Sequence, residues 1–427
     1  MKRKPKTKVK LKKIDVVIVI VLIIIAGLVL TKAGYISPFE EETPADERVV
    51  PEEPTPVLPT PPNSLIAGNM RSISPDDEGM HYDKISVCRE WWYFTAVFNA
   101  EGSELNNWVV TVSFNHMARG DLLGTNKPDL LVITLHGPNR EEYGGMVNNE
   151  RGLGLFQQST LKAKTPGVSV TYEDSWTEGD APSWHVYAED NEIDIHHDLI
   201  VDLQFFAPSD PLWTLGDTIL QSSSRNLASY IFTGCNVTGT ITIDNMEYNV
   251  HGIGHHEHSW SPNVVTKGLI NGWDWSHIVL ENGWTLYFSN YYPTPQYLSS
   301  KTSNLNPYGT LLLSTDNGVT FTTLNDINAE ITATDDRIFP FVKMPSSLTI
   351  TGSPDLLQPF LSTYDIELTI DLTAQNTFEK IWKFPAYVGM KVGRSIVHGT
   401  ITWNDDEGYH ELELYGVGSF WSMRALL

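Results

Sequence analysis

The run Gly252-Ile-Gly-His-His-Glu-His-Ser-Trp260, with His251 just before it, gathers four of the chain's thirteen histidines around Glu257. No other stretch is as dense in groups that move a proton or hold a metal near neutral pH. Read as a strand, it places His256, His258 and Trp260 on one face and His255 and Glu257 on the other. Proton transfer needs only one perturbed group beside an apolar hollow, so Glu257, His256 and His258 are the candidate catalytic residues. A zinc site would take two ligands from His256 and His258 and a third from Asp274. No His-x-x-x-His helix signature accompanies them, so no metal or cofactor is expected. The plainer alternative is a polar, hydrogen-bonded patch that pins two parts of the molecule together.

Two aromatic segments could surround this chemistry. In Glu90-Trp91-Trp92-Tyr93-Phe94 a carboxylate stands at the mouth of an aromatic strand, where burial would raise its pKa. The other reading is a core strand whose Glu90 pairs with an Arg such as Arg89 or is exposed at the strand start. In Trp273-Asp274-Trp275 both indoles share one face, with Asp274 opposite. Indole faces line hydrophobic sites and stabilise a developing cation, although such rings also simply fill cores. The expected ligand contacts are Glu90, Trp92, Tyr93, His255, Trp260, Trp273, Asp274 and Trp275. A Gly-x-Ser-x-Gly elbow, a phosphate loop and a dinucleotide fingerprint are all missing from the sequence.

The elements that must carry these residues read as strands. Val168–Tyr172, Thr240–Ile243, Leu348–Thr351 and Ile366–Ile370 alternate with period two. Asp244-Asn245, Glu281-Asn282-Gly283 and Asp316-Asn317-Gly318 are turn signals between strands. The stretch 212–229 reads as a short helix or a long loop. The pattern also repeats. Trp91–Tyr93 and Trp273–Trp275 each open a hairpin. Gly239-Thr-Ile-Thr242 and Gly399-Thr-Ile-Thr402 each begin a closing one. This predicts an all-β chain of two similar antiparallel sheets, each curled into a barrel that removes its edges, over 75–264 and 265–427. The histidine cluster falls at their junction.

Charge and composition bound the rest. The net charge is −23, although residues 2–13 hold eight Lys or Arg and no acid. So negative a surface repels nucleic-acid phosphates, and no nucleic-acid partner is expected. The basic tail, 1–13, precedes an uncharged apolar run, Val16 to Leu30. Residues 14–31 read as an uncleaved membrane anchor with a cytoplasmic N-terminus, or alternatively as a signal segment of a secreted protein. Residues 32–74 read as a disordered linker; eight prolines and seven acids fall within 32–64. Cys88 and Cys235 could pair outside the cytoplasm or remain buried thiols. Asn236-Val237-Thr238 is a lone glycosylation sequon.

Four motifs in order carry a family resemblance: Glu90-Trp-Trp-Tyr-Phe94, Gly252–Trp260, Gly272-Trp-Asp-Trp275 and Gly408-Tyr-His-Glu-Leu412. Together, over about 78–420, they resemble the hydroxyneurosporene synthase (carotenoid hydratase) and AttH-like family. In the central motif Glu257 stands where that family usually has Asp, and His255 where it has an aromatic residue. The resemblance implies two tandem lipocalin-like barrels and a hydrophobic ligand, isoprenoid or lipid. It also implies, as one activity among several in the family, addition of water to a carbon–carbon double bond. Glu257 would donate the proton, the indoles of Trp92, Trp260, Trp273 and Trp275 would stabilise the cation, and His256 or His258 would orient the water. The alternative is a lipid carrier without catalysis.

Overall fold

The structure is a computed structural model. It describes residue 70 and residues 72–426 apart from 86–87, 100–103, 118–128, 148–159, 191–192, 195, 216–227, 263–269, 294–308, 325, 336–343, 354–364 and 383–386. The basic tail, the apolar run at 14–31 and most of the Pro-rich linker therefore lie outside the described residues. So does most of the 212–229 stretch, of which 212–215 is strand and 228 onward is strand again.

Period-two patterning yields strand almost everywhere. After one four-residue helix, α1 (Pro75–Glu78), come β1 (Cys88–Phe98), β2 (Val109–Met117), β3 (Asp129–His136), β4 (Glu142–Val147), β5 (Leu161–Ala163) and β6 (Val168–Tyr172). They are followed by β7 (Ser175–Asp180), β8 (Ser183–Glu189), β9 (Leu199–Phe206), β10 (Leu212–Leu215), β11 (Ala228–Ile243) and β12 (Met246–Pro262). The second half holds β13 (Ile270–Leu280), β14 (Thr285–Pro293), β15 (Gly309–Ser314), β16 (Thr322–Leu324) and β17 (Asp326–Asp335). It closes with β18 (Met344–Ser353), β19 (Glu367–Trp382), β20 (Tyr387–Asp405) and β21 (Gly408–Leu426).

Two antiparallel sheets result. The first runs β4-β3-β2-β1-β12-β11-β9-β8-β7-β6-β5, with β10 on β11. The second runs β16-β15-β14-β13-β21-β20-β19-β18-β17. The sequence repeat has a direct structural meaning: β1 stands to β2 and β12 as β13 stands to β14 and β21. Each Gly-Thr-Ile-Thr segment opens the long hairpin beside that pair, β11–β12 or β20–β21. The first of these turns is made by Asp244 and Asn245, both at positive φ, as a tight hairpin with the right twist requires.

Curled, barrel-like antiparallel sheets were expected, and both sheets are antiparallel and curled. Among the described residues no ladder joins β4 to β5 or β16 to β17. The edge strand β4 is shielded in another way: the second sheet's Phe378 approaches Gly145, and its ring packs near His136 with 5.4 Å between ring centroids.

Three apolar layers follow. One fills the inside of the first sheet, with Trp92, Phe94, Trp184, Phe205 and Tyr230. Another fills the second, with Leu286, Phe288, Ile350, Ile370 and Trp403. The third lies between the sheets, where Tyr93, Leu130, Ile231, Trp275, Tyr287 and Trp421 meet. Strand β1 is buried on both faces, because Trp92, Phe94 and Ala96 point inward while Tyr93, Thr95 and Val97 face the other sheet. That explains its unbroken apolar run in place of an apolar–polar alternation. Cys88 and Cys235 are both free, buried thiols, and burial pushes each up to about 12.

Candidate functional site between the sheets

Strand β12 is the hinge of the site, because it alternates between two buried environments. Its even residues, His256, His258 and Trp260, enter the interior of the first sheet. Its odd residues, His255, Glu257 and Ser259, enter the layer between the sheets. Neither constellation is exposed.

On the odd face, Glu257 is held by both sheets. The Trp91 indole N–H donates to its Oε1 at 3.1 Å and Ser259 Oγ donates to the same oxygen at 3.0 Å. The Trp275 indole N–H, from the second sheet, donates to Oε2 at 2.8 Å. Burial raises the Glu257 pKa above the usual carboxylate range, against the lowering effect of Trp91, Ser259 and Trp275. His255 Nε2 lies 3.8 Å from Oε2. The His255 ring stacks on Tyr287 at 5.3 Å and meets Trp275 edge-on at 5.2 Å.

The sequence reading missed His277. It follows Trp275 by two residues, so strand alternation puts both on one face, and extending the Trp273–Trp275 pattern by one step would have found it. Its ring centroid is 5.3 Å from that of His255. Both imidazoles are fully buried, and none of their four ring nitrogens has a hydrogen-bond partner among the described residues. Burial pushes His255 down to about 3 and His277 well below its usual value, so both rings are neutral. A neutral imidazole carries one donor and one acceptor. Leaving either unmet in a dry site costs about 1–3 kcal/mol. Two such rings beside a buried acid form a polar island in an aromatic layer, and suit a small group that both gives and takes a hydrogen bond.

Not every expected residue joins this island. Trp275 does, and Tyr93 meets Trp275 at 4.3 Å and Trp421 at 5.2 Å. Trp273 sits half-buried at the rim, with the Arg89 guanidinium 5.3 Å from its ring centroid. Trp92, Trp260, His256 and His258 lie on the opposite side of the first sheet, so they cannot share one hollow with Glu257. The expectation that His256 or His258 orients water for Glu257 is corrected accordingly: a sheet layer separates them. His256 Nδ1 approaches the Tyr93 carbonyl at 3.1 Å, and its ring stacks on Phe94 at 4.2 Å.

Asp274 is also elsewhere, on the inner face of the second sheet. Arg424 Nη2 and Ser422 Oγ each donate to it at 2.7 Å, so it does not converge with His256 and His258. Glu90 is fully buried, but its partners are imidazoles rather than Arg89. Burial would raise it; hydrogen bonds from His258 and His81 outweigh that and leave it lowered. Near α1, a separate groove of about 610 Å³ is lined by Pro75, Pro166, Glu178, Asp180 and His185, among others, and by none of the residues predicted from sequence.

Residues 67–335 match the family model of AttH-like proteins. The chain belongs to the AttH-like family. That match runs across β1, β12 and β13, the three strands that build the island. No curated protein sequence matches. Among solved structures, this AttH-like chain is similar to an AttH-type protein from Nitrosomonas europaea, at 13% identity and TM-score 0.49, covering 83% of this chain and 97% of that one. It is also similar to kievitone hydratase from Nectria haematococca, at 10% identity and TM-score 0.49, covering 83% and 96%. A third similar structure is CghA with Sch210972, at 12% identity and TM-score 0.48, covering 79% and 89%.

Proposed function

We propose that this AttH-like protein binds a hydrophobic, unsaturated ligand of isoprenoid or lipid type between its sheets and adds water across a carbon–carbon double bond. The observation that carries this reading is the pairing of Glu257, a buried acid with a raised pKa, with two buried neutral imidazoles on the same face. Glu257 transfers its proton from Oε2 to one alkene carbon, leaving a cation on the other. The faces of Trp275 and neighbouring aromatic rings stabilise that cation. Water held between His255 and His277 attacks it, forming the carbon–oxygen bond. The surplus proton passes to His255 and returns across the 3.8 Å gap to the Glu257 carboxylate.

The full chain, incubated with an unsaturated lipid and isoprenoid extract in heavy-oxygen water, is expected to yield a product carrying the label, read by mass spectrometry. Glu257→Gln should abolish labelling while leaving co-purified lipid in place. Labelling that survives this change defeats the reading. Wild-type protein that carries lipid but never labels it is instead the carrier function. The acid works only while protonated, so the rate should fall as pH rises through the elevated Glu257 pKa; a rate that climbs there opposes the assignment.

The same reading places the protein at a membrane, with residues 14–31 as anchor, 1–13 cytoplasmic and the two sheets, as domains over 75–264 and 265–427, outside. The apolar run and its basic flank in the sequence support this, as does a ligand that partitions into bilayers.

A further inference from the structure

The even face of β12 holds a second constellation, which the hydration reading does not use. His258 Nε2 lies 2.8 Å from Glu90 Oε1, and His81 Nδ1 lies 3.1 Å from the same oxygen. The three groups come from different parts of the chain: the segment after α1, the start of β1, and β12. Their ligand atoms all fall within 4.8 Å of one another. Glu90 and His258 are fully buried, and the His81 side chain is 12% exposed.

The surroundings resemble a supported metal shell. Tyr230 OH lies 3.1 Å from His258 Nδ1, which fixes the ring from behind. Trp92 stacks on His258 at 4.7 Å and Trp260 on His81 at 3.8 Å, so neither imidazole can swing freely. Glu90 Oε2 is anchored by the Tyr82 backbone N–H at 2.7 Å. The His81 N–H reaches both carboxylate oxygens at 3.0 Å. Among the described residues the ion pairs of Glu90 are with His81 and His258, and no Lys or Arg is paired with it. A buried carboxylate without a fixed positive charge is costly to hold, and a cation at Oε1 would supply that charge.

We infer that His81, Glu90 and His258 bind a divalent transition-metal ion of the zinc or ferrous class. Two imidazoles and one carboxylate are the donor set such ions take when coordination positions stay open. The partly exposed side of His81 is where those positions would meet solvent. Binding needs no net proton loss at His258. The ion replaces the hydrogen on Nε2, the ring carries its proton on Nδ1 instead, and Tyr230 OH accepts from it.

The test is a cobalt(II) titration of the chelator-treated full chain, read by ligand-field absorption and calorimetry. One equivalent should bind with a tetrahedral or five-coordinate spectrum. Glu90→Gln keeps acceptor capacity for the backbone N–H groups but removes the anionic ligand, so it should weaken binding by more than about 100-fold. His81→Ala should weaken it comparably, and being partly exposed it provides the test if the Glu90 variant fails to fold. Glu257→Gln, on the opposite face, should bind cobalt as the wild type does, so this site and the hydration chemistry stand or fall separately. Folded wild-type protein that takes up no saturable equivalent would overturn the inference and leave the trio as a hydrogen-bonded clasp. Undiminished binding by both site variants would overturn it equally.

Discussion

At the residue scale the decisive pair is His255 and His277, since nothing in the packing explains why two imidazoles should lie 5.3 Å apart in an aromatic layer. A core selected for stability alone would use phenylalanine there. His277→Phe should therefore leave the melting temperature unchanged or raise it, by up to about 1–3 kcal/mol of stability, because it removes a buried group with unmet hydrogen bonds. The same change should abolish water addition. A large loss of stability, measured by thermal denaturation, would mean that His277 has a structural role instead. The sequence made part of this visible. The density of His255–His258 around Glu257 marked the strand, and alternation alone split it into two faces. Which face met which partner was not legible. That depends on β12 lying between β1 and β11, a long-range pairing that local pattern does not encode. Glu90 shows the same limit. Its imidazole partner on β12 is 168 residues away in sequence.

At the element scale the segment around α1 repays attention. It crosses one end of the first sheet and is held there by buried acids. Glu78 accepts from the Ala181 N–H at 3.0 Å and the Trp184 indole N–H at 2.9 Å, and its own carbonyl accepts from the Trp92 indole at 3.1 Å. Burial raises the Glu78 pKa from 4.5 to about 7, against those donors and with help from Asp180 and Asp77. The folded state thus keeps a proton that the unfolded state releases above about 4.5. Stability from this group is greatest below that value, declines as pH rises toward 7, and is level above it. The loss is at most about 3 kcal/mol. Glu78→Gln should flatten the dependence of melting temperature on pH across that window, and a parallel pair of curves would show that Glu78 ionises freely. Turn chemistry was legible at this scale: Asp244-Asn245 and Asp316-Asn317-Gly318 form turns as read. The grip of α1 was not, because Glu78 in sequence is one acid in an acidic stretch.

At the scale of the whole molecule the two sheets are joined by more than the aromatic layer. Asn376 Nδ2 donates to the Gly137 carbonyl at 3.1 Å and Arg394 Nε to the Asn107 carbonyl at 3.0 Å. Elsewhere, the turn at Gly318, with φ of +85°, lies so close to the Thr233 carbonyl that a Cβ would not fit. Ser209 Oγ donates to the Gly318 carbonyl at 2.7 Å. Ties at separate places, with an aromatic layer between, predict that the sheets melt together. Tryptophan fluorescence and far-ultraviolet dichroism should trace one coincident transition, and two resolved steps would mean the sheets are independent. The repeated strand order was legible as paired Trp-rich and Gly-Thr-Ile-Thr segments. The cover over β4 was not, since Phe378 is remote from Gly145 in sequence. The back-to-back design of β12 also constrains how this lineage can vary. Losing one codon between Gly254 and Trp260 would transpose the two chemistries, sending the acid inward and the imidazoles of His256 and His258 outward. Losing two would preserve parity. The length of this strand thus constrains it alongside the identity of its residues.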